Sequence, residues 1–164
     1  MKEKEIVVLE DTTHELVDLR KEQINKLTQY LYDNANGTTI VGNGKELVHH
    51  ELVPLTHSFV DGVYIRELKM NKGILVVGAI HKHLHVWFLL EGNLTIATQT
   101  TIKNYVAPCY VISEPGTQRV LYANEDSIFV NIHKNPNEIR DIRELEKEWS
   151  ALTQKEYDEY IKNK

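Results

Sequence analysis

The chain has 164 residues, 41% of them hydrophobic, and a formal net charge of −5. That length suits one domain with its own core, and the acidic balance argues against a non-specific nucleic-acid binder. No apolar run approaches the ~20 residues of a membrane-spanning helix, and residues 1–6 lack the apolar segment of a secretory signal. The single Cys109 can form no intramolecular disulfide and supplies no zinc-type cysteine cluster. A reduced, cytoplasmic setting is the expectation.

Thr12-Thr13-His14-Glu15 reads as a capping box, with Thr12 as N-cap and Glu15 three residues on. Val17, Ile24, Leu27 and Leu31 follow helical spacing. Gly37 is placed to end that helix. The spacing predicts an amphipathic helix over about 13–34. After Gly37 the period changes. Residues 38–41 and 47–55 read as short strands around a Gly42-Asn43-Gly44 turn. Asp61-Gly62 signals a hairpin, and residues 63–70 read as a strand. Residues 74–80 are apolar throughout, as in a strand buried on both faces. Residues 81–90 run into a turn at Glu91-Gly92-Asn93. Residues 94–98 are strand-like, and Lys103-Asn104 reads as a turn. Residues 105–113 read as one strand whose Pro108 suits an edge or a bulge. Glu114-Pro115-Gly116 turns again before strands at 119–122 and 127–133.

About eight short strands spaced by about ten residues are the signature of an antiparallel sandwich or barrel. Helical signals then return. Asn135-Pro136-Asn137-Glu138 offers an N-cap, Pro at N1 and Glu at N3. Ile139, Ile142, Leu145 and Trp149 form the apolar stripe. Thr153-Gln154-Lys155-Glu156 is a second capping box, opening a short helix with Tyr157, Tyr160 and Ile161. The expectation is one mainly β domain over 1–164. A helix over about 13–34 and helices over about 136–162 flank a β-barrel over about 38–133.

The most informative stretch is His81-Lys82-His83-Leu84-His85-Val86-Trp87-Phe88-Leu89-Leu90-Glu91-Gly92. On a strand, residues i, i+2 and i+4 share a face. His81, His83 and His85 would then stand side by side, and neutral imidazole suits Zn, Fe, Cu or Ni. A straight strand spreads them over about 13 Å. All three reach one metal only where the strand bends or bulges. The alternative is a barrel lined with histidines that bond one another, solvent or a ligand. Trp87 and Leu89 continue the histidine face as a pocket floor. Val86, Phe88 and Leu90 face outward, an apolar surface that favours a homodimer or higher homo-oligomer.

Gly78-Ala79-Ile80-His81-Lys82-His83, followed by Phe88-Leu89-Leu90-Glu91-Gly92, resembles the first motif of the cupin superfamily. Glu114-Pro115-Gly116-Thr117-Gln118-Arg119 resembles the second. The resemblance covers about residues 53–133 and implies a single antiparallel jelly-roll barrel. It departs from the family at two positions. Counting back from Gly92, the metal-binding Glu falls at His85. Counting from Gly116, the second-motif His falls at Arg119. The resemblance makes His81, His83 and His85 candidate metal ligands, with His133 or His57 able to complete a site. Arg119 cannot ligate, because its guanidinium has no lone pair to give. A longer pattern, from Thr56 to His133, is similar to small cupin-like proteins encoded by bacteriophages, with no defined reaction attached. It implies a host cytoplasm.

Arg119 inside a barrel must be paired or reach water. Its natural partner is a carboxylate or a phosphate. Arg66 and Glu67 point to opposite faces, and the sequence does not choose between them. With Arg66 inward, Tyr64, Arg66, Trp87, His57 and Arg119 would line a pocket for an anionic small molecule. The functional expectation is a barrel that binds a divalent metal (Zn, Fe, Ni or Mn), a small anionic ligand, or both. A metal-dependent enzyme is one version. A non-catalytic nucleotide or sugar-phosphate binder and a structural assembly protein are the others. Neither a nucleic-acid polymer nor a membrane is expected as a partner. His49-His50-Glu51 reads as a solvated segment, and Cys109 as a structural residue.

Overall fold

A computed structural model of the chain describes residues 14–34, 40–41 and 52–164. Thr12, Gly37, the Gly42-Asn43-Gly44 turn, His49-His50-Glu51 and most of the 47–55 strand lie outside the described residues. Helix α1 (His14–Asp33) comes first. The strands follow as β1 (Ile40–Val41), β2 (Leu55–Val60), β3 (Val63–Met70), β4 (Leu75–Val77) and β5 (Ile80–His81). Next come β6 (His85–Glu91), β7 (Asn93–Ala97), β8 (Ile102–Val106), β9 (Cys109–Ser113), β10 (Val120–Ala123) and β11 (Ser127–Lys134). Helix α2 (Ile142–Trp149), β12 (Ser150–Ala151) and α3 (Gln154–Lys162) complete the order.

The long strands pair as a nest. β3 pairs with β11, β4 with β10, β6 with β9, and β7 with β8, all antiparallel. This nesting is what a long hairpin gives when it rolls up. It distributes the strands into two sheets, ordered β2-β3-β11-β6-β9 and β1-β4-β10-β7-β8. The fold is a jelly roll. Among the described residues, β1 is the exception to antiparallel pairing, since it lies parallel to β4.

Alternation along each strand builds the core. Leu68, Met70, Trp87, Leu89 and Phe129 from one sheet meet Val76, Leu94, Ile96, Leu121 and Ala123 from the other. The opposite face of the second sheet is covered by α1, where Ile24, Leu27 and Leu31 pack on Leu75, Val77, Ala97 and Val120. That is the amphipathic stripe at work. On the first sheet, Tyr110 and Ile112 stay exposed beside half-buried Val86 and Phe88. Helix α2 turns Leu145 and Trp149 onto Tyr64 at one end of the barrel, with Phe59, Ile139 and Ile142 beside them.

Three local readings are corrected. Lys103-Asn104 lies inside β8; the turn falls earlier, where Thr98 N–H bonds Thr101 O at 2.7 Å. Residues 105–113 are not one strand, because the chain reverses through Ala107-Pro108 between β8 and β9. The second helix does not start at Pro136. Asn135 is buried and its side chain bonds the Ile139 backbone at both N and O. A turn therefore occupies 135–139, and Asp141 caps α2 by accepting from Arg143 N and Glu144 N. At α3, Thr153 accepts from Glu156 N, and Glu156 accepts from Leu152 N.

Candidate site: three histidines around a buried arginine

The histidine stretch is not one straight strand. It breaks at Lys82-His83-Leu84, between β5 and β6. The far end of the chain fixes the bend. β12 pairs with β5, Lys82 N–H bonds Trp149 O at 2.8 Å, and His83 Nε2 bonds Glu148 O at 2.9 Å. The bend turns His83 outward and brings His81 and His85 together, with ring centroids 4.2 Å apart and planes tilted by 53°. His133 reaches them from β11, at 4.8 Å from His85 and 5.3 Å from His81. The three rings are buried, and one nitrogen from each lies within 4.8 Å of the others. His81, His85 and His133 thus form the group, and His83 lies outside it. Trp149 closes it from α2, stacked on His133 at 4.2 Å and 12°.

Arg119 stands within this group and is 3% exposed. Its Nη2 donates to His81 Nδ1 at 2.9 Å and to His85 Nε2 at 2.8 Å. Asn131 Oδ1 accepts from the same nitrogen at 3.4 Å. Nη1 donates to Ser113 Oγ at 2.6 Å. These contacts set the tautomers. His85 Nδ1–H donates to His83 O at 3.2 Å, leaving Nε2 free to accept. His81 accepts at Nδ1, so its proton sits on Nε2. Among the described residues, His133 Nε2 has no hydrogen-bond partner.

Burial and then the Arg119 charge hold His81 far below the ordinary histidine range. The same two causes push His85 down to about 4. Burial, then His85 and Arg119, hold His133 well below 6.5. Burial lowers Arg119 to about 9, so it remains cationic near neutral pH. The arrangement is mutually consistent: neutral imidazoles give lone pairs to a cation that in turn keeps them neutral.

That arrangement sets the acid stability. The folded histidine values lie below the unfolded value, so below pH 6.5 the unfolded chain binds protons that the fold refuses. The stability is complete above pH 6.5 and is lost as pH falls toward the folded values, such as about 4 for His85. Each histidine contributes about 1.4 kcal/mol per pH unit, or about 4 kcal/mol for three. Urea unfolding at pH 7, 6 and 5 reads this directly. A midpoint that does not move over that range would contradict the buried neutral cluster.

The other expected residues fall nearby. Tyr64 and Arg66 both face inward on β3, and Glu67 faces outward. Arg66 is held by Glu146 of α2, Nη1 to Oε1 at 2.7 Å, with both groups buried. His57 Nδ1 meets Tyr64 Oη at 2.7 Å, on the far side of Tyr64 from His133. Trp87 lies deeper in the barrel, edge-on to Tyr105 at 5.0 Å. A cavity of about 300 Å³ opens beside Arg119, walled by Trp87, Gln99, Tyr105, Ser113 and Thr117, with exposed Glu114 also on its lining. That volume is at the lower end for small-molecule sites. Gln99 Oε1, buried there, has no partner among the described residues.

Sequence reasoning missed Ser113, Asn131, Glu146 and Trp149. Asn131 carried a signal, because it is two residues from His133 and so shares its face. Glu146 carried another, as a carboxylate between Leu145 and Trp149 on the buried side of α2.

Several solved structures similar to this chain are described as cupins. An RmlC-like cupin from Shewanella frigidimarina aligns with 17% identity over 55% of this chain and 79% of its own, with a TM-score of 0.46. KdgF from a Halomonas species aligns with 10% identity over 52% and 82%, TM-score 0.46. A cupin superfamily protein from Desulfitobacterium hafniense aligns with 13% identity over 51% and 78%, TM-score 0.46. No protein-family model matches the chain, and no curated protein matches it. The nested strand pairing identifies the jelly roll independently of these likenesses.

Proposed function

We propose that the barrel binds a small anionic molecule in the 300 Å³ cavity, with Arg119 as the cationic contact. The observation that carries this reading is the state of Arg119. A buried cation is normally matched by a carboxylate. Among the described residues, none pairs with this one. Its partners are two neutral imidazoles, a hydroxyl and an amide oxygen. They satisfy hydrogen bonds without cancelling charge. An anion at the cavity wall would cancel it. Gln99 Oε1 offers an acceptor to a ligand hydroxyl or N–H, and Trp87 with Tyr105 offers an apolar wall. A nucleotide or sugar phosphate carries all three features.

The test is a thermal-shift panel of nucleotides and sugar phosphates, with mass spectrometry of molecules released on heating. A ligand at a hundred times its Kd adds about 2.7 kcal/mol of stability. For a chain of this size that raises Tm by roughly 5–10 °C. The rise should disappear in R119Q. No shift across the panel and no released anion would refute the reading.

Zn, Fe, Ni or Mn held by His81, His85 and His133 is the second reading, supported by three buried neutral imidazoles within 4.8 Å. A bound divalent ion would supply Lewis acidity at an open coordination position. The donor set does not fit such an ion in the arrangement described, because two of its three lone pairs already accept from Arg119.

A further inference from the structure

We infer that Arg119 is the resident cation of the histidine group, and that its guanidinium and a divalent metal ion exclude one another. This exclusion is independent of the anion reading, because it concerns the imidazole lone pairs and not the contents of the cavity.

Three observations carry it. First, Nη2 has two N–H bonds, and it spends them on His81 Nδ1 and His85 Nε2 at 2.9 and 2.8 Å. A metal ion would need these same lone pairs. Second, the guanidinium has further partners besides the two histidines. Ser113 Oγ takes Nη1 at 2.6 Å, and Asn131 Oδ1 lies 3.4 Å from Nη2. Displacing it breaks several bonds within a buried site. Third, the group contains no carboxylate: its metal-capable members among the described residues are three histidines. A divalent ion beside a fixed guanidinium would meet uncompensated repulsion at close range. Neutral imidazoles cannot offset it.

The orphaned His133 Nε2 shows what the guanidinium leaves behind. Arg119 engages two histidines of the three, and the third keeps a buried nitrogen with no partner among the described residues. Removing the guanidinium would leave three buried imidazoles converging on one space. That is the ligand count of a catalytic-type zinc site. The sequence therefore stands one substitution away from a metal centre, and Arg119 is the residue that prevents it.

The probe is Co²⁺ alone, titrated into protein carrying no histidine tag and followed by visible absorption. Wild type should bind it weakly. R119M, which keeps the stem and removes the charge, should bind roughly 100-fold tighter, with d–d bands of a nitrogen-ligated ion. Adding H133A to R119M should abolish those bands. A folded R119M that binds Co²⁺ no more tightly than wild type would overturn the inference.

Should R119M fail to fold, ¹⁵N NMR of the wild-type histidine rings decides alone. It should report His81 protonated at Nε2 and His85 at Nδ1, unchanged by stoichiometric Zn²⁺. The opposite tautomers, or Zn²⁺-induced shifts in those rings, would overturn it. Failure of the anion reading would appear in a different place, as a silent thermal-shift panel.

Discussion

Exchanging Glu146 for leucine lowers the unfolding free energy by about 3–5 kcal/mol. Glu146 lies on the buried side of α2 and meets Arg66 of β3 at 2.7 Å. Both side chains are nearly removed from water, at 6% and 7% exposure. Leucine keeps the helix and the volume but takes the carboxylate from a buried guanidinium. Removing both charges should behave differently. Burial raises the Glu146 pKa more than Arg66 lowers it. Desolvation thus outweighs attraction, and ionised Glu146 is less favourable in the fold than in the unfolded chain. The sign is opposite to that of the histidines: this contribution to stability declines as pH rises from the ordinary glutamate value through the raised one. The double variant R66M/E146L should therefore recover most of the single-variant loss. Urea unfolding of the four proteins in the cycle measures it. A loss below about 1 kcal/mol for E146L would show that the pair does not hold α2 on the barrel.

Gly92→Ala should be nearly as damaging, at about 3 kcal/mol or more. Gly92 joins β6 of one sheet to β7 of the other. Its φ is +85°, where an L side chain is strained. An added Cβ would also lie 2.2 Å from Asp126 O and 2.3 Å from Ser127 Oγ. The first of these is backbone, so the contact cannot be relieved by a rotamer change. Gly73 provides the control. It has the same φ of +85°, and an added Cβ there would meet nothing within 4 Å. Gly73→Ala should therefore show the conformational penalty alone, about 1 kcal/mol. Equal losses at the two positions would mean that the sheet-crossing contact at Gly92 does not matter.

The barrel was legible in the sequence because alternation is a local property. Trp87 and Leu89 share a face with His85, Tyr64 with Arg66, and Asn131 with His133, all at even spacings along their strands. The apolar stripe of α1 was legible for the same reason, with a different period. The site was only half legible. His81, His83 and His85 look equivalent along the chain, and what separates them is the bend at Lys82-His83-Leu84. That bend is held by Trp149 O, Glu148 O and the β12 strand, more than sixty residues away. Arg66 posed the same difficulty. Parity puts it on the face of Tyr64 and opposite Glu67, but which face points inward is set by packing, and its partner Glu146 is eighty residues distant. Arg119 stands out in a sequence as a residue that cannot ligate. That it donates to two histidines depends on separate strands meeting, which no local pattern encodes.

The segment that closes the histidine group follows the barrel in the chain. Every strand of the two facing sheets has been synthesised by Lys134, and the plug that carries Glu146 and Trp149 comes only afterwards. A growing chain therefore passes through an interval in which the roll can close while His81 and His133 still lack their stacked indole. During that interval the histidines are open from a side that the finished protein seals. Docking of α2 is therefore the step that takes the histidine group out of solvent.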